Sequence, residues 1–163
     1  MEQPVRIYLV CHVSTVESWR TALDAPLSES GRRQADKVAP ATLWQTDVHV
    51  EPRITKILAP SSDPKIRGEW LMQTSAAKWS AREPKFKECR DNVLSALSKV
   101  IEETVMVTHC MVVNAVVGAA TGDDQVICFH PDDTDTTVID KIGGRFNVID
   151  YSLEEISDAA LVT

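Results

Sequence analysis

The chain contains four histidines, His12, His49, His109 and His130. Two share a setting. His12 follows the apolar run Val5-Arg6-Ile7-Tyr8-Leu9-Val10-Cys11, and His109 follows Thr104-Val105-Met106-Val107-Thr108. An imidazole changes protonation near neutral pH and serves as nucleophile, base or proton shuttle. Two of them delivered to one pocket could therefore carry acid–base or group-transfer chemistry. His49, between Val48 and Val50, has no such setting. His130 opens His130-Pro131-Asp132-Asp133-Thr134-Asp135, which offers a histidine with carboxylates but reads as a solvated loop rather than a metal or acid–base cluster.

Each of the paired histidines has a cysteine beside it, in Cys11-His12 and His109-Cys110. Two thiols and two imidazoles would make a Cys₂His₂ zinc set. Successive strand side chains point to opposite faces, however, so all four rarely converge and no metal or other cofactor is expected. The four cysteines, Cys11, Cys89, Cys110 and Cys128, show no CxxC spacing and no clustering. Reduced thiols are the expectation, with a Cys11–Cys110 disulfide left open.

The elements that must position the histidines follow from the pattern. Val5–Cys11 is short, continuously apolar and rich in β-formers, which predicts a strand buried on both faces of a parallel sheet. Residues 13–26 read as a loop over its end, including Val13 and Thr15, where open α/β sheets bind ligands. A helix opens near Leu27, with Ser28 or Ser30 as its cap and Pro40 limiting its length. Residues 42–54 read as an irregular connection, residues 55–59 as a second strand stopped by Pro60, and residues 65–79 as a helix weakened by Gly68. Val93, Leu94, Leu97, Val100 and Ile101 recur at helical steps and predict an amphipathic helix beyond Pro84. A third strand (residues 104–108) leads to His109, and a Val- and Ala-rich helix (residues 111–120) stops at Gly122. Strand-like residues 136–142 and 145–151 flank the hairpin signal Gly143-Gly144. Alternating strands and helices predict a three-layer α/β/α sandwich with a mostly parallel central sheet. Trp19, Trp44, Trp70 and Trp79 are expected to pack rather than to line a pocket.

At 163 residues the chain fits one domain, residues 1–163. The net charge of −7 and the lack of a dense basic run argue against nucleic acid as a partner. No apolar run approaches the roughly 20 residues that span a bilayer, and the start lacks a leader pattern. A cytoplasmic, membrane-free protein acting on a small molecule is the expectation, and the sequence leaves oligomeric state open.

Several blocks resemble the histidine phosphatase superfamily, also called phosphoglycerate mutase-like. That family typically begins with a strand ending in Arg-His-Gly, where this chain has Cys11-His12-Val13. Its next block, Asp-x-Pro-Leu-Thr-x-x-Gly-x-x-Gln-Ala, is matched by Asp24-Ala25-Pro26-Leu27-Ser28-Glu29-Ser30-Gly31-Arg32-Arg33-Gln34-Ala35, with Ser for Thr. Ile57-Leu58-Ala59 resembles Ile-Leu-Ala-Ser-Pro, Thr108-His109 resembles Ser/Thr-His-Gly, and Thr136-Thr137-Val138-Ile139-Asp140 is similar to the late strand. The blocks keep the family order across nearly the whole chain, and the length is that of compact members without an inserted lid.

The resemblance implies phosphomonoester hydrolysis or phosphoryl transfer through a phosphohistidine at His12, with His109 bonding the phosphoryl oxygens and a carboxylic acid protonating the leaving oxygen. Glu83 is the candidate for that acid, with Glu69 a weaker one. Two arginines would neutralise the phosphoryl oxygens. Cys11 replaces the first. The ungapped Ser-Pro-x-x-Arg-Ala pattern puts Pro64 at the second, and a short insertion would bring Arg67 into register. Val13 replaces a glycine that lets phosphate approach the backbone. The substrate-binding set is therefore Cys11, Val13, Thr15, Arg67 and Cys110. Each lost cationic donor costs about 10²- to 10³-fold in rate, so activity is expected to be weakened. Two alternatives stand beside this one: a phosphatase scaffold repurposed for non-phosphate acid–base chemistry on a small molecule, and an inactive binding pseudoenzyme.

Overall fold

Strand β1 (Val5–Cys11) lies inside the sheet, with residues Ile7 through Cys11 all buried. The computed structural model describes residues 3–12, 26–38, 49–132 and 135–153. On one side β1 pairs in parallel with β2 (Thr104–Thr108), and on the other antiparallel with β3 (Thr136–Ile142). β3 continues into β4 (Arg145–Leu153), giving the order β2-β1-β3-β4. Between these strands run helices α1 (Glu29–Val38), α2 (Pro64–Ser75), α3 (Pro84–Ser98) and α4 (Cys110–Thr121). The α/β class is as the sequence predicts, with a mixed sheet in which, among the described strands, parallel pairing is confined to β1 and β2. The hairpin signal accounts for the antiparallel pairing of β3 with β4, since Gly143 and Gly144 both take positive φ (56° and 77°) and a two-residue turn of that kind joins antiparallel neighbours.

Burial follows the predicted stripes. Val93 and Leu97 of α3 are buried with Ile7 and Leu9 of β1, and Val112, Val113 and Val116 of α4 join the same core. Each such side chain contributes about 1.5–3 kcal/mol relative to exposure. α4 packs on β1 and β4, and α3 packs on α4. Arg6 and Asp140 face each other across β1 and β3 and form a two-bond ion pair at 3.0 and 3.2 Å.

Three local expectations change and one choice left open is decided. Residues 55–59 form no strand. They follow a 3₁₀ turn (Pro52–Ile54), which the Thr108 hydroxyl ties to β2 by donating to the Ile54 carbonyl at 2.6 Å, without a ladder. The helix expected over residues 65–79 spans Pro64–Ser75, with Asp63 accepting from the Lys65 and Ile66 N–H groups and Pro64 in the first turn. Trp79 instead sits in a second 3₁₀ turn (Trp79–Ala81), buried and stacked on Phe86 at 4.8 Å. Ile101 leaves the apolar stripe because α3 ends at Ser98, and it is 85% exposed. Ser28, not Ser30, caps α1, accepting from the Gly31 N–H at 2.9 Å. Trp70 packs edge-on against Phe86, while Trp19 and Trp44 lie outside the described residues.

Gly118, in the last turns of α4, leaves no room for a side chain. A Cβ there would meet the Asp123 carbonyl oxygen at 2.7 Å. Alanine favours a helix by about 1 kcal/mol over glycine, but a backbone clash in a packed region costs more. Gly118→Ala is expected to destabilise the fold by about 1–3 kcal/mol, read as a lower urea midpoint at unchanged slope.

Candidate functional site

The parallel register of β1 and β2 makes the site. Cys11 stands opposite Thr108, so the next residue of each strand is a histidine leaving the sheet at the same end. The His12 N–H donates to the Thr108 carbonyl at 2.9 Å, extending the tie one residue beyond β1. The two imidazoles then lie side by side, ring centroids 5.0 Å apart and planes tilted by 56°. His109 keeps an extended backbone at the N-cap of α4 (φ −120°, ψ 155°). The first N–H groups of that helix, on Cys110 and Met111, have no intrahelical acceptor and point towards the same end of the sheet.

Burial holds the His109 imidazole well below the usual histidine range, at about 4, with repulsion from His12 and then Lys56 adding to it. It is therefore neutral at neutral pH, with one N–H to donate and one lone pair to accept. The shift also sets a pH dependence of stability. Between about pH 6.5 and 4 the unfolded chain binds a proton at this position that the folded chain refuses. Folding stability is thus untouched above that window and falls as pH drops through it. One proton gives at most about 1.4 kcal/mol per pH unit, less for a partly exposed ring. His109→Gln should reduce the loss of denaturation midpoint between about pH 7 and pH 5 relative to the unsubstituted protein.

The remaining predicted residues fall into three groups. Cys11 is 4% exposed, its side chain in the core. Cys110 opens α4 half-buried; its Sγ accepts from Asn114 Nδ2 at 3.5 Å, and burial pushes its thiol up. None of the four cysteines is in a disulfide, so Cys11 and Cys110 are unlinked, and among the described residues no three His, Cys, Asp or Glu side chains gather as a metal site. Arg67 is 2% exposed near the start of α2, with Nη1 donating to the Ser62 carbonyl at 3.4 Å. With Asp63 as cap and Pro64 first in the helix, Asp63-Pro64-Lys65-Ile66-Arg67 falls on the Ser-Pro-x-x-Arg pattern, and Pro60-Ser61-Ser62 is the insertion. Val13 and Thr15 lie outside the described residues.

The two acid candidates are exposed. Glu83, the N-cap of α3, pairs at 3.3 Å with Arg82, whose guanidinium lies over Phe86. Glu69 lies two residues from buried Arg67 on the same helix and so on another face. His130 is an exposed loop residue, and Asp132 and Asp135 bond each other's backbone, with the Asp135 carbonyl accepting from Cys11 at 3.1 Å. His49 is exposed. Sequence reasoning passed over Lys56, whose charge reaches His109, and Asn114, the fully buried amide behind Cys110. An asparagine within an otherwise apolar helical run was the available signal for the second; nothing local marks the first.

No family model matches the chain, and no curated protein matches it by sequence. Solved structures do match. A phosphoserine phosphatase from Entamoeba histolytica, solved as a mutant with phosphoserine, aligns over 92% of this chain and 98% of its own at TM-score 0.66 and 12% identity. The alpha-ribazole phosphatase from Shigella flexneri aligns over 94% and 98% at TM-score 0.65 and 17% identity. YhfR from Bacillus stearothermophilus aligns over 94% and 98% at TM-score 0.59 and 18% identity. The fold is thus the α/β phosphoglycerate mutase-like one, shared along almost the full length of each neighbour. No helix among the described residues is long and apolar enough to cross a membrane.

Proposed function

We propose that the protein is a histidine phosphatase-type enzyme that hydrolyses a phosphomonoester, or transfers its phosphoryl group, through His12. The observation that carries this reading is the pair of imidazoles 5.0 Å apart at the ends of adjacent parallel strands, beside a helix N-terminus. A ring nitrogen of His12 attacks phosphorus and the ester P–O bond breaks, the departing oxygen taking a proton from a carboxylic acid. Water then attacks phosphorus, the N–P bond breaks, and inorganic phosphate leaves with the imidazole restored. Neutral His109 donates its N–H to a phosphoryl oxygen, and the free N–H groups at the start of α4 favour the same charge. Arg67, aligned with the family arginine, is the candidate second cation, and Glu83 the candidate acid once it exchanges Arg82 for the leaving group. That the similar folds include a phosphoserine phosphatase and an alpha-ribazole phosphatase supports a small phosphomonoester as substrate.

A panel of phosphomonoesters, assayed against a His12→Ala control, tests the reading. Turnover that persists in the control, or none above it, sinks it. Buried Cys11 in place of an arginine favours a second reading, in which the same pair of histidines does proton-transfer chemistry on a less charged ligand. A ligand screen that returns only phosphate compounds would reject that alternative.

A further inference from the structure

The pair of histidines is short of positive charge for a phosphoryl group. His109 is neutral at neutral pH, and Cys11 points into the core where the family pattern has an arginine. Several other cations are engaged elsewhere: Arg6 with Asp140, Arg53 with Glu51, Arg82 with Glu83, and Arg90 over Trp79 and facing Asp124. Lys141 holds the Ser98 and Val100 carbonyls at the end of α3.

Lys56 is placed differently. Thr108 gathers three segments at the end of β2: its carbonyl takes the His12 N–H, its hydroxyl holds the Ile54 carbonyl, and its own peptide leads to His109. Lys56 is two residues beyond that anchor, a span of at most about 7 Å of chain, and is half-buried. Ile54 and Ile57 on either side of it pack against the core, which holds the segment down at the end of β2 where Thr108 ties it. The charge it exerts on the His109 ring agrees with that placement.

We propose that Lys56 is the cation that holds the phosphoryl oxygens against His12 and His109, filling the role that Cys11 vacates. The assignment rests on the phosphoryl-transfer reading for its purpose, but its anion site is separately measurable. A lysine ammonium suits this role as a point charge on a flexible stem, without the two-bond fork of an arginine, and so tolerates more varied phosphoryl geometry.

The test measures binding of inorganic phosphate at low salt, by calorimetry and by titration of the imidazole proton resonances. Lys56→Met should weaken phosphate binding roughly 10- to 100-fold, the range of a lost hydrogen bond to a charged group. It should also move the His109 titration upward. Lys56→Arg should stay within about threefold of the unsubstituted protein, and Lys65→Met, an exposed lysine on α2, should change nothing. Unchanged phosphate affinity in Lys56→Met overturns the assignment, as does a parent protein that fails to bind phosphate. If phosphate binding depends on Lys56 while no ester turns over above the His12→Ala control, the catalytic reading falls and the anion site stands. If turnover depends on His12 but KM and phosphate affinity ignore Lys56→Met, the lysine assignment falls alone.

Discussion

Quenched in denaturant during turnover, the protein is expected to carry one phosphoryl group on His12, labile to acid and stable to alkali, whereas His12→Ala carries none and loses at least about 10³-fold in kcat. The size of the effect follows from the chemistry. Without the imidazole the reaction must run by direct attack of water on the ester, and the covalent route that divides the barrier is gone. His109→Ala should behave differently. It removes a donor rather than the nucleophile, so it should cost about 10²- to 10³-fold while the phosphoryl group on His12 still forms. Rapid-quench labelling followed by peptide mapping separates the two. A label on another residue, or full activity in His12→Ala, would show that the strand-end histidine is not the nucleophile.

How far the site could be read without coordinates depended on how each residue is held. His12 and His109 were legible because a strand is a local pattern: two apolar runs, each closed by a histidine, become neighbours once β1 and β2 pair in parallel and in register. The late hairpin was legible for the same reason, two successive glycines that both take positive φ. Lys56 was not legible, because its position depends on a bond between residues 54 apart in sequence, Thr108 to Ile54, in a segment with no ladder to reveal its direction. The register of Arg67 lay between these cases. An aspartate before a proline is a helix-start signal, and weighing it would have placed the helix at Pro64 and aligned Arg67 without coordinates. Residues 55–59 looked like a strand because they are apolar and β-branched. A strand also needs a partner, and β2, the edge strand of the described sheet, pairs only with β1 and leaves Val107 half exposed.

The largest expected effect on stability belongs to Asn114, which never touches the proposed substrate. It lies fully buried on α4, one turn beyond Cys110. Its Nδ2 donates to the Cys110 carbonyl at 3.0 Å, while its Oδ1 accepts from the N–H groups of Cys128 and Phe129 at 2.8 and 3.0 Å. The Cys128 thiol donates to the same oxygen at 3.3 Å. One amide therefore fixes a passing loop to the first turn of the helix that His109 caps. Asn114→Ala leaves two backbone donors short of an acceptor and opens a polar void, so a loss of about 2–4 kcal/mol is expected, read from denaturant midpoints. Cys128→Ala removes a weak sulfur contact and keeps both amide bonds, so it should cost less than about 1 kcal/mol more than its lost packing. Because the loosened turn carries His109, hydrogen exchange in Asn114→Ala should quicken first in the early turns of α4 and at residues 128–129, ahead of β1 and β3. Uniform acceleration across the sheet would instead mean that Asn114 supports the core as a whole and has no particular bearing on the histidine beside it.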